Sequence, residues 1–198
     1  MRKLKRKIEA DKLILLFVVF SSFVFLNNVG SQNQPFSSAL LFAVLYSGAN
    51  ALLYSAVFIL SFLFNFSLQN FASALAISLI LCVIYGVFAR KRKMNITSLI
   101  FLLASLIPYV LIGGKSEYFS RFITSVFITV TSACFIPVVD AFALRGLRKL
   151  EKFEILSLIL LFVCVFSGGI KYIGLDGYKA LSLFSFLIFS YCPHKIFW

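Results

Sequence analysis

Acidic residues, histidine and paired cysteines are all scarce in this chain of 198 residues. Seven Asp and Glu stand against 19 Lys and Arg, and hardly any of the seven fall inside a long apolar stretch. A proton or sodium pump normally holds its ion on a carboxylate near the bilayer midplane, so ion-coupled transport is disfavoured. His194 is the single histidine, and a metal or haem site with imidazole ligands normally wants a second. Cys82, Cys134, Cys164 and Cys192 are widely spaced, form no CxxC pair and sit in or at the end of apolar stretches. Their expected role is packing, not a disulfide framework. Paired intramembrane aspartates, a Ser and His pair, an HExxH motif and a phosphate-cradling glycine loop are all missing. The sequence therefore predicts no enzyme, and no catalytic, cofactor-binding or metal site.

What is present is hydrocarbon. Hydrophobic residues make up 61% of the chain and charged ones 13%, with a mean hydropathy of +1.00. A soluble domain of this length could not tolerate that balance. The net charge of +12 is concentrated in three clusters, Arg2 to Lys12, Arg90 to Lys93 and Arg145 to Lys152. These cations flank apolar blocks instead of lining a soluble helix, which excludes a nucleic-acid partner and points to topology and anionic headgroups.

A helix rises about 1.5 Å per residue and the hydrocarbon core is about 30 Å thick, so about 20 apolar residues make one crossing. Laid along the sequence, that ruler predicts spans at residues 13–29, 36–46, 51–64, 71–89, 96–112, 119–144, 153–170 and 178–191. The fold expected is all-α, a polytopic transmembrane helical bundle of about eight spans. It divides into a basic cytoplasmic N-terminus (1–12), one transmembrane domain (13–191) and a short C-terminal end (192–198). Residues 36–64 could form either two short spans or one long tilted helix, and charge decides between them. Two crossings bring all three basic clusters to one side, so that 15 of the 19 Lys and Arg face the cytoplasm with both termini. Lys115, Arg121, Lys171 and Lys179 remain outside. The first span also has the form of a signal peptide, with Val29 to Ser31 a weak cleavage point, but another membrane segment follows it and a retained anchor is expected.

Few residues in the spans invite chemistry. Asp140, Arg121 and Lys179 fall near span ends, where snorkelling or local pairing suffices, and Arg145 follows Asp140 closely. Pro137 is tolerated in a membrane helix and can kink it. Ala43 with Ser47, and Ala72 with Ala76, carry the small-residue spacing of close helix approach, which serves packing within one subunit and permits self-association. The triplets Asn65-Phe66-Ser67 and Asn95-Ile96-Thr97 match a glycosylation pattern common by chance.

From Pro137 onward the order is a Pro-containing helix end, a basic loop, Glu151 and Glu154-Ile155, an apolar span closing in Ser167-Gly168-Gly169, and then Ile173-Gly174-Leu175. Pro35-Phe36 follows the first span. This layout resembles the membrane region of stage II sporulation protein E, in which an acidic pair followed by isoleucine begins a span that closes on a Gly-containing turn. The resemblance implies a multi-span anchor in a bacterial cytoplasmic membrane that, in the family, has about ten spans and continues into an assembly region and a metal-dependent phosphatase domain. This chain stops before those parts, and no phosphatase aspartates can be carried over.

Two functions follow from different classes. The first is a non-catalytic integral membrane anchor or scaffold, acting in sporulation or division, whose spans assemble something on the cytoplasmic face. Its partners are the bilayer and either a second copy or a cytoplasmic or membrane protein. The alternative is a small-molecule uptake subunit, such as the substrate-binding membrane component of an energy-coupling-factor importer. Those proteins resemble six-span bundles, and no polar cluster in this sequence defines a vitamin pocket. No cofactor is expected in either case.

Overall fold

Long runs of Leu, Phe, Ile and Ala without charge leave the backbone one economical way to satisfy its own polar groups, the helix. The computed structural model describes residues 16–29, 35–65, 67–88, 96–112, 115–144 and 150–172, and among them every regular element is helical. The elements are α1 (Leu16–Leu26), α2 (Pro35–Tyr46), α3 (Ala51–Ser61), α4 (Leu68–Phe88), α5 (Ile96–Ser105), α6 (Ile107–Ile112), α7 (Tyr118–Leu144) and α8 (Lys152–Tyr172). Short 3₁₀ turns, Phe62–Asn65 and Lys115–Glu117, close α3 and open α7. The all-α expectation holds for these residues. The basic N-terminus, the Arg90 to Lys93 cluster, Arg145, the span at 178–191, Lys179, Cys192 and His194 lie outside them.

α2 is the centre. Pro35 and every residue from Ser37 to Leu45 are buried, as befits a helix apolar all round. It packs most extensively on α7 and also on α4 and α3. Its small residues Ser37, Ser38, Ala39 and Ala43 let neighbours come close, and Ser132 of α7 reaches the Ala39 carbonyl at 3.5 Å. Around it the core is filled by Phe23, Phe58, Phe62, Ile77, Leu81 and Phe135, with Phe58 set edge-on to Phe23 and Phe62 at centroid distances of 5.4 and 5.1 Å.

Contacts between helices sort into two ends. At one end Asn27 bonds Ser61, Gln69 bonds Glu117, Pro35 and Phe36 lie beside Phe119 to Phe127, and Gly168 lies against Phe25. At the other end Ser55 meets Cys82, and Tyr46 is within electrostatic reach of Asp140. By these contacts α2, α4 and α7 start, and α1, α3 and α8 finish, at the first of these ends.

Length is less uniform than the ruler supposes. Tyr118–Ala141, 24 residues, and Lys152–Ile170, 19 residues, are long and apolar enough to cross a membrane. α2 and α3, with 12 and 11 residues, reach only about 18 and 16 Å, short of the ~30 Å hydrocarbon core. They form a tight hairpin and not one tilted helix. Gly48 takes φ +86° at the turn, a conformation glycine adopts without strain, and the Asn50 side chain caps α3 by accepting the Leu53 N–H at 3.2 Å. The pair returns the chain to the end at which α2 starts, where Ser61 bonds Asn27.

Three predicted spans differ in detail. Residues 96–112 break at Leu106 into α5 and α6, because Pro108 has no N–H to continue the helix and is accommodated in the first turn of a new one. α7, by contrast, continues unbroken through Pro137. α8 runs through Gly168 and Gly169 to Tyr172, so these glycines are helix interior and not the turn that the resemblance implies.

Candidate functional site

A cluster of charge among the described residues is built from four elements around Arg121. This residue sits one turn into α7 and is 8% exposed. A guanidinium so placed must find acceptors. Glu117, four residues earlier, supplies them: Nη2 donates to Glu117 Oε2 at 2.8 Å and Nε to the same oxygen at 3.1 Å. Nη1 donates to the Tyr109 carbonyl of α6 at 3.3 Å, one of the carbonyls left open at a helix end. The guanidinium carbon also stands 5.2 Å from the centre of the Tyr109 ring. Gln69, in the first turn of α4, donates to Glu117 Oε1 at 3.0 Å. The Tyr109 hydroxyl is buried and has no hydrogen-bond partner among the described residues.

Chemically this node is a clasp. Its carboxylate is occupied by a guanidinium and an amide. The local pairing expected of Arg121 is what the structure shows. The i, i+4 spacing of Glu117 and Arg121 signals one of its partners in the sequence, and the others come from the fold.

Many of the remaining hydroxyls among the described residues bond their own helix. Ser21, Ser22, Ser47, Thr124, Ser125, Thr129 and Ser132 each donate to the carbonyl four residues back, a bond that hides a hydroxyl from an apolar surrounding. Asn27 donates to Ser61 Oγ at 2.9 Å. Glu151 and Glu154, the acidic pair of the resemblance, cap α8: Glu154 Oε2 accepts the Glu151 N–H at 2.8 Å, the reach-back half of a capping box. Asp140 is half-buried on α7 near Tyr46, while its expected partner Arg145 lies outside the described residues. Ala43 packs in the core, but Ala72 faces outward. Among the described residues no three His, Cys, Asp or Glu gather as a metal-ligand set.

One groove of about 410 Å³ opens between α2 and α7, lined by Pro35, Phe36, Phe119, Ser120, Ile123 and Phe127. It is mostly apolar, and Thr124, which also lines it, donates its hydroxyl to the Ser120 carbonyl. No family model, curated protein or solved structure matches the chain.

Proposed function

We propose that this protein is a non-catalytic integral membrane protein, a multi-span anchor of the cytoplasmic membrane that assembles a partner on its cytoplasmic face. The observation that carries the reading is the outward surface. Leu52 and Leu60 of α3, Leu79 and Val83 of α4, Phe122 and Val130 of α7, and Phe153 and Phe162 of α8 are all more than half exposed. Soluble proteins rarely show apolar surface on this scale, and hydrocarbon is the solvent that suits it.

The interior supports an anchor over an importer subunit. A site for a polar small molecule needs convergent polar groups facing a cavity, whereas the hydroxyls here turn back on their own helices and the groove is greasy. On this reading the three basic clusters and both termini share the cytoplasmic side, and the clusters Arg90 to Lys93 and Arg145 to Lys152 contact the partner. The likeness in layout to the sporulation protein's membrane region agrees with such a role.

Purification from native membranes in mild detergent tests it. Recovery of a stoichiometric partner that is lost when Arg90 to Lys93 are replaced by Ser is the expected result. A bare monomer with no associated protein, or stabilisation by a vitamin in a thermal-shift panel, would overturn the proposal.

A further inference from the structure

The helices that face outward do so over different heights. The apolar stretches Lys152–Ile170 of α8, 19 residues, and Tyr118–Ala141 of α7, 24 residues, rise about 28 and 36 Å, close to or above the ~30 Å hydrocarbon core. α3 is different. Its apolar stretch runs from Ala51 to Phe64 through the α-helix and the 3₁₀ turn behind it, a rise of only about 22 Å. Asn50 and Asn65 bound it. α2 is as short, but it is buried from Ser37 to Leu45, so its length never meets lipid. α3 is on the surface: Leu52, Leu60, Leu63 and Phe64 are all more than half exposed.

A membrane helix that is too short is accommodated by flanking side chains that snorkel, by association with another helix, or by a thinner bilayer. Snorkelling is closed to α3, since neither residues 47–50 nor residues 65–70 include Lys or Arg. Bulky leucines at 52, 53, 60 and 63 dominate its outer face in place of the paired small residues by which membrane helices approach closely. The helix is also fixed in depth. Ser61 is held by Asn27 at one end, Ser55 meets Cys82 of α4 nearer the other, and Phe58 is set edge-on to Phe23 and Phe62.

We infer that the outer face of α3 is a contact surface for short-chain phospholipid, at which the bilayer thins by about 8 Å to bring its headgroups to Asn50 and Asn65. The α8 side meets lipid of ordinary length. This rests on the reading of the protein as an integral membrane protein and names the lipid that one part of its outward surface selects.

The test uses the full chain in phosphatidylcholine vesicles, with Trp198→Phe and one new tryptophan, either Leu60→Trp on α3 or Phe162→Trp on α8. Brominated oleoyl lipid quenches a lipid-facing tryptophan, and unbrominated lipid added in increasing fraction competes for the same contact. At 60, myristoleoyl lipid should compete about twofold better than oleoyl lipid, and at 162 no better. Leu52→Trp probes the same helix independently and should show the preference seen at 60. No preference at 60, or the same preference at 60 and 162, would overturn the inference. Quenching at 162 with none at 60 would overturn it too, since protein and not lipid would then cover α3. These outcomes leave the membrane reading standing, whereas quenching at neither position would overturn both.

Discussion

Gly168 shows how much one missing carbon can decide. A Cβ there would collide with the carbonyl of Phe25, a backbone atom unable to step aside, whereas at Gly169 the nearest atoms are those of the Phe25 ring at 3.8 to 4.0 Å. Gly168→Ala should therefore destabilise by about 1–3 kcal/mol, the usual cost of overpacking. Gly169→Ala should be neutral or gain up to ~1 kcal/mol from helix propensity. Midpoints of thermal unfolding in detergent for the two variants decide the matter, and equal midpoints would count against the α1 to α8 contact. The Arg121 clasp makes a second residue-scale prediction. Glu117→Gln keeps the shape but removes the charge from a guanidinium that has little access to water. Because the Glu117 side chain is 40% exposed, the loss should be near the ~1.5–3 kcal/mol of a hydrogen bond to a charged group and not the larger cost of stranding a fully buried ion. Adding Arg121→Met should recover part of that loss, which the same melts would show.

Among elements, the start of α8 depends on its own acidic pair. Glu154→Ala should cost about 1 kcal/mol through the lost cap, seen as faster hydrogen exchange at the Glu151 and Ile155 amides, and Glu154→Gln should restore most of the protection. Sequence reasoning placed this helix within a residue or two, because a charged stretch gave way to an unbroken apolar run. It also set α7 and α4 close to their observed limits. It saw less at residues 96–112, where the effect of Pro108 on an otherwise continuous apolar segment was not anticipated. At residues 36–64 the apolar content was plain but the division rested on charge parity. The Gly48 turn is where the backbone reverses, and one glycine among several small residues does not announce a positive φ. The clasp was half legible: Arg121 stood out as a cation at a span end, but that Gln69, 48 positions before Glu117, would reach it depends on where the fold sets the start of α4 beside the 3₁₀ turn ahead of α7, which no local pattern encodes.

For the whole molecule, alternating helix directions and the placing of cations make one joint prediction. Single cysteines at 92 and 148 should react with a membrane-impermeant maleimide only after the cells are opened, while one at 116 should react from outside. α4 and α7 start at one end, where Gln69 bonds Glu117, so labelling that splits 92 from 148 would contradict both the helix directions and the charge rule. Function was the least legible level. Hydroxyls that bond their own helices, as many of the described ones do, leave few marks of what the protein meets.

The enclosure of α2 bears on how the protein is made. Its chief neighbour, α7, begins at Tyr118, more than seventy residues after α2 ends at Tyr46, so during synthesis the most protected helix must wait for its cover. Translation at about 5–20 residues per second makes that interval several seconds. In that time α2 has only α3 and α4, of its main neighbours, to cover it. A stop in translation before α7 should thus be far more damaging than the same stop after it, since the earlier product holds a core helix with nothing to be the core of.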